Sequence, residues 1–403
     1  MRRIAVRVVA MRITFARMST TISVGAGRYV GKEGLTPKPL TCLLTAESLS
    51  LVKAKIQNGE WPCYGRKRNI RPLFFFNLKM KTYKHLWEAL ITKENFELAY
   101  KNSIKKKAKQ RQIIEFNKHK EENLEKVRQL VISGNFHTSK YRQMTIYEPK
   151  ERIIYKLPYN PDRIVQHAIM NILKPILLKL FINKTYACIE GRGQHRASRL
   201  ASEYVRRNKY CLLGDCKKFY PSVNHDVLSA MLHRIIKDEK FMKLVDDIIY
   251  SFEGETNCPI GNYCSQWFGN FYLSRLDNYV KHTLHIKDFE RFCDDFVLYS
   301  NDKAKLNDCK IKIRNFLKNE LLLDCSKLEL FNTKQGVDFC GYRSFGKYVL
   351  LRKSTAKRTK RRIRDFNTHP ERYDEEYIRQ SKASTNGILK HCCSYNLRTA
   401  IKL

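Results

Sequence analysis

The stretch Glu290-Arg291-Phe292-Cys293-Asp294-Asp295-Phe296-Val297-Leu298-Tyr299 limits what this chain can fold into more than any other. Two adjacent carboxylates stand between an aromatic–small pair and an apolar run. Successive side chains of a strand point to opposite faces, so a mid-strand Asp-Asp would send one anion to each face. A buried, unpaired carboxylate costs several kcal/mol, and two in sequence repel each other as well. A tight hairpin avoids this by lifting the pair to its tip, with Phe292 and Phe296–Tyr299 on the flanking strands. Divalent cations are the usual compensating charge. A solvated Asp-Asp turn satisfies the same pattern, so a second carboxylate is needed to decide.

Asp215 supplies it. Tyr210-Cys-Leu-Leu-Gly-Asp215-Cys-Lys-Lys-Phe219-Tyr220-Pro221 reads as a short apolar strand ending at an aspartate, then a turn and an aromatic pair. Asn224 or His225 is placed to cap a helix from about Asp226 to Lys237. A strand-end Asp and a hairpin Asp-Asp can lie side by side in one antiparallel sheet. Mg²⁺ prefers octahedral oxygen ligands and usually takes one or two carboxylates plus substrate phosphates. Two such ions suit the attacking and leaving oxygens of a phosphoryl transfer.

Between these sites lies Cys258-Pro-Ile260-Gly261-Asn-Tyr-Cys-Ser265-Gln266-Trp267-Phe268-Gly-Asn270, leading into an amphipathic helix through about His282. With the three segments in this order, the chain resembles a reverse transcriptase. A segment around Lys327 and a strand-like Phe339-Cys-Gly341-Tyr342 follow. Upstream, Lys150-Glu-Arg152-Ile-Ile-Tyr-Lys-Leu-Pro, Asp162-Arg163-Ile-Val-Gln166-His167-Ala and Tyr186–Ala197 look like the fingers of bacterial, intron-like enzymes. The resemblance spans roughly residues 80–350. Most of the family opens the middle motif with Gln-Gly and closes it with Ser-Pro; here Ile260 precedes Gly261 and Gln266 follows Ser265. That form looks like reverse transcriptases of diversity-generating retroelements, which copy a template-repeat RNA with frequent errors at adenines. Exchanging an amide for Ile260 removes hydrogen bonds that would grip the nucleotide.

The resemblance implies an α+β, right-hand polymerase fold. Residues 80–207 are expected to form helical and stranded fingers, 208–348 an antiparallel-sheet palm, and 349–403 a short basic helical thumb. It also implies that Asp215, Asp294 and Asp295 are catalytic and hold two Mg²⁺ ions, with Mn²⁺ as a substitute. Asp215 and Asp294 are the expected ligands, and Asp295 adds charge. Tyr220 takes the place of the steric gate under the sugar, with Phe219 as its packing partner. Ile260, Gly261, Ser265 and Gln266 are expected to line the nucleotide pocket, and Lys327 to protonate the leaving group. Arg152 is the expected triphosphate contact, because guanidinium matches phosphate bidentately.

Composition points to the same class of partner. A formal net charge of +38 and a pI near 9.8 exceed what a typical metabolic enzyme carries and call for a polyanion. The basic residues cluster in two runs, from which Lys105, Lys106, Lys107 and Arg111, and Lys357, Arg358, Arg361 and Arg362, are the expected nucleic-acid contacts. Template RNA, primer or cDNA and dNTPs are the expected partners. By resemblance a small basic pentameric accessory protein joins them. Residues 1–79 carry 15 Lys/Arg against three Asp/Glu with little periodicity, and are expected to be a disordered arm or upstream extension.

Thirteen cysteines show no Cys-x-x-Cys, which argues against a zinc knuckle and fits small core residues in a reducing cytoplasm; the resemblance implies a bacterial, phage or archaeal host. No apolar run reaches membrane-spanning length. His391-Cys392-Cys393 is expected to be a helix face rather than a metal site, and Trp267 and Phe268 helix packing. An intron-encoded or antiphage reverse transcriptase is the alternative within the class. A catalytically silent RNA-binding scaffold is the alternative outside it.

Overall fold

The computed structural model describes residues 81–147 and 151–402. The expected arm at 1–79 and Lys150 lie outside the described residues. The described chain begins with helices Leu86–Leu90, Lys93–Ser103, Arg111–Asn117 and Lys120–Ile132. Thr92 caps the second, its Oγ1 accepting from Asn95 N at 3.2 Å. The mostly 3/4 spacing of Ile113, Ile114, Phe116, Leu124, Val127, Leu130 and Val131 predicts a single helix over about 111–133, but the chain breaks at Lys118–His119, where His119 leaves helical geometry (φ −134°, ψ 52°). The apolar spacing explains the break: the seven residues between buried Phe116 and buried Leu124 include no buried apolar side chain, so no core contact keeps the intervening turn helical. Gly134 ends the last helix at φ +74°.

Strands β1 (Arg142–Ile146) and β2 (Arg152–Lys156) then form an antiparallel hairpin. Helix Ile164–Leu180 follows and is buried almost all round its first three turns. The centre of the molecule is a four-stranded antiparallel sheet in the order β4-β5-β3-β6, with β3 Tyr210–Cys216, β4 Asp288–Phe292, β5 Asp295–Ser300 and β6 Cys325–Asn332. The helices between β3 and β4 are Phe219–Ser222, His225–Ile235, Glu239–Tyr250 and Tyr263–Asn278. Asn224 caps the second of these, Oδ1 accepting from Val227 N at 3.0 Å.

Both faces of this sheet are covered, and by different elements. Leu212, Cys216, Phe296 and Leu298 face the large helical core, which includes helices Tyr263–Asn278 and Lys303–Glu320. Cys211, Leu213, Val297 and Tyr299 face a smaller cluster with Ala197, Ala201, Tyr204 and Val205 of helix Gln194–Arg207 and with Val337 and Phe339. Odd-numbered residues of β3 and β5 therefore share one face. Asp215 and Asp295 belong to it by the alternation of a strand.

A three-stranded sheet, β7 Val337–Phe339, β8 Tyr342–Ser344 and β9 Val349–Leu351, closes this side. The continuous strand expected at Phe339–Tyr342 is instead a two-residue hairpin turn. Cys340 (φ +51°) and Gly341 (φ +83°) both sit in the left-handed region such a turn demands. Helices Lys353–Thr368, Glu375–Leu389 and Tyr395–Ile401 end the chain around a small core of Ile363, Phe366, Leu389 and Ile401. His391–Cys393 is a turn after the second of these helices, not a helix face, and the His391 ring stacks on His195 at 3.8 Å. Among the described residues, no helix is long and apolar enough to cross a membrane.

Candidate active site

The pairing register builds the site. Asp215, the penultimate residue of β3, stands directly opposite Asp295, the first residue of β5. Directly opposed side chains of an antiparallel pair point the same way, about 5 Å apart at Cβ. Phe292 pairs with Asp295, so Cys293 and Asp294 alone form the β4–β5 turn. Cys293 adopts φ +59°, which a two-residue turn asks of its first residue. The Asp-Asp pair is thus divided: Asp294 occupies the tip and Asp295 opens the strand across from Asp215.

Crowding of these carboxylates shows in their acidity. Burial, then the charges of Asp215 and Asp294, push the Asp295 carboxyl up to about 7, against a weaker opposing pull from Arg352. Burial, followed by the charge of Asp215, raises Asp294, and Arg152 draws it back. The Arg152 guanidinium, on the first residue of β2, therefore acts on the hairpin tip. Arg352 is itself held by Asp338 at 2.6 Å. Ser326 Oγ donates to the Asp215 carboxylate and to the Asp215 carbonyl.

The hairpin tip is anchored from beneath by a wholly buried arginine. Arg291 Nε and Nη2 each donate at 2.7 Å to the two carboxylate oxygens of Asp277, and both side chains are 0% exposed. Its Nη1 donates to the Cys293 carbonyl at 2.7 Å, and Nη2 also reaches the Asn270 carbonyl at 3.2 Å. The Arg291 backbone bonds to Lys184 O and Tyr186 N, and Thr185 Oγ1 donates to Asp277 at 2.8 Å. One guanidinium thus ties the turn that carries Asp294 to helix Tyr263–Asn278. Sequence reasoning passed over Arg291, Asp277, Ser326 and Arg352. An arginine between Phe289 and Phe292, two residues before the hairpin turn, was the available signal for the first, since a buried cation requires a partner.

The aromatic pair after Asp215 divides its work. Tyr220 is half-buried beneath the hairpin, its hydroxyl accepting from Cys293 Sγ at 3.5 Å. Phe219 is 2% exposed and packs on Tyr220 and Tyr272, so it is a core residue and cannot touch a nucleotide. The helix passes closely here: a Cβ on Gly269 would lie 3.0 Å from Phe219 and 3.1 Å from Tyr220.

The Ile260–Gln266 segment is only partly a pocket lining. Ser265 is buried, and its hydroxyl donates to Pro259 O at 2.7 Å, so it locks the turn instead of facing a ligand. Gly261 sits at φ +126°, and a Cβ there would lie 2.1 Å from Tyr155 O. The close approach that demands glycine is therefore to β2 of this chain. Tyr155 N donates to Ile260 O at 2.8 Å, which joins the segment to the Arg152 hairpin. Ile260 is half-buried, and Gln266 is exposed on the first turn of the helix. Trp267 and Phe268 are core packing, as expected.

Lys327 is the β6 partner of Asp215, yet its Nζ pairs with Glu329 at 3.2 Å. It lines a cavity of about 390 Å³ with Leu213, Phe331, Gln335, Asp338 and Arg343. Lys105, Lys106, Lys107 and Arg111 are exposed around the turn before helix Arg111–Asn117. Lys357, Arg358 and Arg361 are exposed on helix Lys353–Thr368, but Arg362 turns inward and donates to Thr385 Oγ1 at 2.9 Å. Arg362 therefore ties two helices together and is not free for phosphate.

No group of three or more His, Cys, Asp or Glu side chains among the described residues is preset to hold a metal ion. The donor set fits Mg²⁺ nonetheless, because that ion takes one or two carboxylates and completes its shell with substrate phosphates and water. Asp215 and Asp294 are the residues that would hold it, with Asp295 adding charge, and such a cation would relieve their mutual repulsion. When bound, such ions lower the pKa of an attacking hydroxyl and neutralise charge on a leaving pyrophosphate.

Residues 147–344 match the family model described as reverse transcriptase (RNA-dependent DNA polymerase). The group II intron-encoded protein LtrA of Lactococcus lactis is 22% identical over 260 residues, covering 60% of this chain and 43% of that protein. Protein YkfC of Escherichia coli is 24% identical over 272 residues, covering 55% of this chain and 70% of the relative. An uncharacterised 91 kDa protein in the cob intron of Schizosaccharomyces pombe is 28% identical over 128 residues, 30% of this chain and 16% of that protein. The chain thus spans less than half the length of the intron relatives it matches. Among solved structures, apo telomerase of Candida tropicalis superposes with a TM-score of 0.41 at 13% identity, covering 58% of this chain and 60% of that one.

Proposed function

We propose that this chain, which carries a reverse transcriptase domain, is an RNA-directed DNA polymerase whose chemistry is centred on Asp215, Asp294 and Asp295. The observation that carries this reading is the Asp215–Asp295 register with Asp294 at the adjoining turn. Within it, the central sheet serves as the palm, the region around β1 and β2 as fingers, and the three C-terminal helices as the thumb. Asp215 and Asp294 ligate magnesium, and Asp295 adds charge. Arg152, whose charge reaches Asp294, meets the triphosphate, and Tyr220 packs under the incoming sugar. Lys357, Arg358 and Arg361 grip the template–primer.

The Ile260-Gly261-x-x-x-Ser265-Gln266 form supports the finer reading of an error-prone enzyme for targeted diversification. A basic pentameric accessory protein belongs to that finer reading. An intron-encoded role is the alternative that the similarity to LtrA favours.

Primer extension on an RNA template with Mg²⁺ is the test. Asp215→Asn and Asp294→Asn are each expected to cut incorporation more than about 100-fold while leaving the thermal midpoint near that of the parent. Undiminished incorporation by either variant contradicts the assignment. Sequencing of the cDNA separates the finer readings. Substitutions concentrated opposite template adenines support diversification, whereas uniform high fidelity rejects it.

A further inference from the structure

We infer that a second phosphate track runs along helix Lys303–Glu320, behind the catalytic sheet, and takes the backbone of an RNA segment that is not in the active site. This rests on the RNA-directed reading above. The helix packs Leu306, Cys309, Ile313, Phe316 and Leu317 into the core shared with Leu212, Phe296 and Leu298. Asp215 and Asp295 project from the other side of that sheet. A strand lying on this helix is therefore not the one whose end meets the carboxylates.

The charge pattern of the helix is lopsided. On one flank Lys312 pairs with Asp308 at 2.6 Å, and Lys305 donates to the His285 carbonyl at 3.3 Å. On the other flank Lys310, Arg314 and Lys318 follow at four-residue intervals, and none has an ion pair among the described residues. Like charges at this spacing are neighbours on a helix surface and oppose its formation. Such a ridge is stable at no cost only when an anion lies along it.

A second element joins the ridge. Lys217, two residues past Asp215, converges with Arg314 and Lys318 on a cavity of about 290 Å³ that is also lined by Leu323, Asp324 and Cys325. Three cations face one carboxylate there. Arg314 stands close enough to oppose the upward push that burial gives the Cys325 thiol. Length decides between a small anion and a strand. Lys310 to Lys318 spans about 12 Å along the helix axis. One phosphate group cannot reach across that, whereas successive phosphates of a strand can.

The test uses the full chain with Lys310, Arg314 and Lys318 all changed to Glu, and a second variant with all three changed to Gln. Binding to an RNA of about 150 nucleotides is titrated against KCl, and extension is measured on a short preannealed template–primer. Removing three contacts is expected to make the slope of log affinity against log salt shallower by about 2, at about 0.7 per single-strand phosphate. Extension of the short substrate is expected to stay within about twofold, and both variants to keep the parent's melting midpoint. An unchanged slope overturns the proposal. So does a proportional loss of long-RNA binding and short-substrate extension, which would place the ridge in the active-site cleft. Full displacement of the long RNA from the parent protein by millimolar inorganic pyrophosphate also overturns it in favour of a small-anion pocket. Failure of the parent to extend any primer would defeat the polymerase reading while leaving the salt slope to report on the track.

Discussion

His167 shows how a single side chain registers the field around it. It is 8% exposed, its ring stacks on Tyr263 at 4.0 Å, and its Nδ1 has no hydrogen-bond partner among the described residues. Burial, followed by the charges of Arg163, Lys107 and Lys105, pushes its pKa down to about 3. The unfolded chain therefore binds a proton near pH 6.5 that the folded chain refuses. Stability tied to His167 is complete above about pH 6.5 and is lost as the pH falls towards 3. At pH 5 the loss is about 2 kcal/mol. Replacing His167 with Phe, which keeps a ring against Tyr263, is expected to flatten the decline in melting midpoint between pH 7 and 5; parallel curves for parent and variant would refute it. Among the site residues, Asp215, Asp294 and Asp295 were legible because acidic residues inside apolar runs have few physical outlets. Ser326 was not legible, since a serine one residue from Lys327 in an edge strand carries no such signal. Ser265 is expected from its motif to line the pocket yet faces Pro259, because motif spacing fixes position along the chain but not the direction a side chain turns.

At the scale of elements, the β4–β5 hairpin and helix Tyr263–Asn278 behave as one unit through Arg291 and Asp277. Arg291→Ala leaves Asp277 as a buried, uncompensated anion and is expected to cost about 3–5 kcal/mol of stability. Changing the pair together to Arg291→Met and Asp277→Leu removes both charges and is expected to recover most of that loss. The Cys293 carbonyl still lacks its donor in the double variant, so kcat is expected to stay depressed about tenfold with KM for dNTP nearly unchanged. Thermal melts beside steady-state extension separate the two effects, and a double variant with full kcat would reduce Arg291 to a stabilising role. The helix begun by Asn224, the helix after Ser265 and strands β3 and β5 were legible from periodicity and caps, whereas helices Gln194–Arg207 and Glu239–Tyr250 were not. The break at His119 and the turn at Cys340–Gly341 were missed. The first depends on an absence of apolar anchors, and the second on backbone conformations that residue types suggest only weakly.

Over the whole molecule, the charge of +38 sets the behaviour expected in solution. Six phosphate contacts with a single strand, at about 0.7 each, imply an affinity for RNA that falls about 300-fold between 50 and 200 mM salt. Filter binding across that range checks it, and a flat response would mean that the basic residues serve another purpose. Composition points to a polyanionic partner, yet it does not say which basic residues face outward. Arg362 shows the difference, lying in the same run as Arg361 but spent on Thr385. Finally, the alternation that puts Asp215 beside Asp295 makes the protein intolerant of a particular class of genetic change. Inserting or deleting one residue between Tyr210 and Gly214 would rotate Asp215 to the side of Leu212 and Phe296, so length variation in this strand should be purged even where substitutions survive.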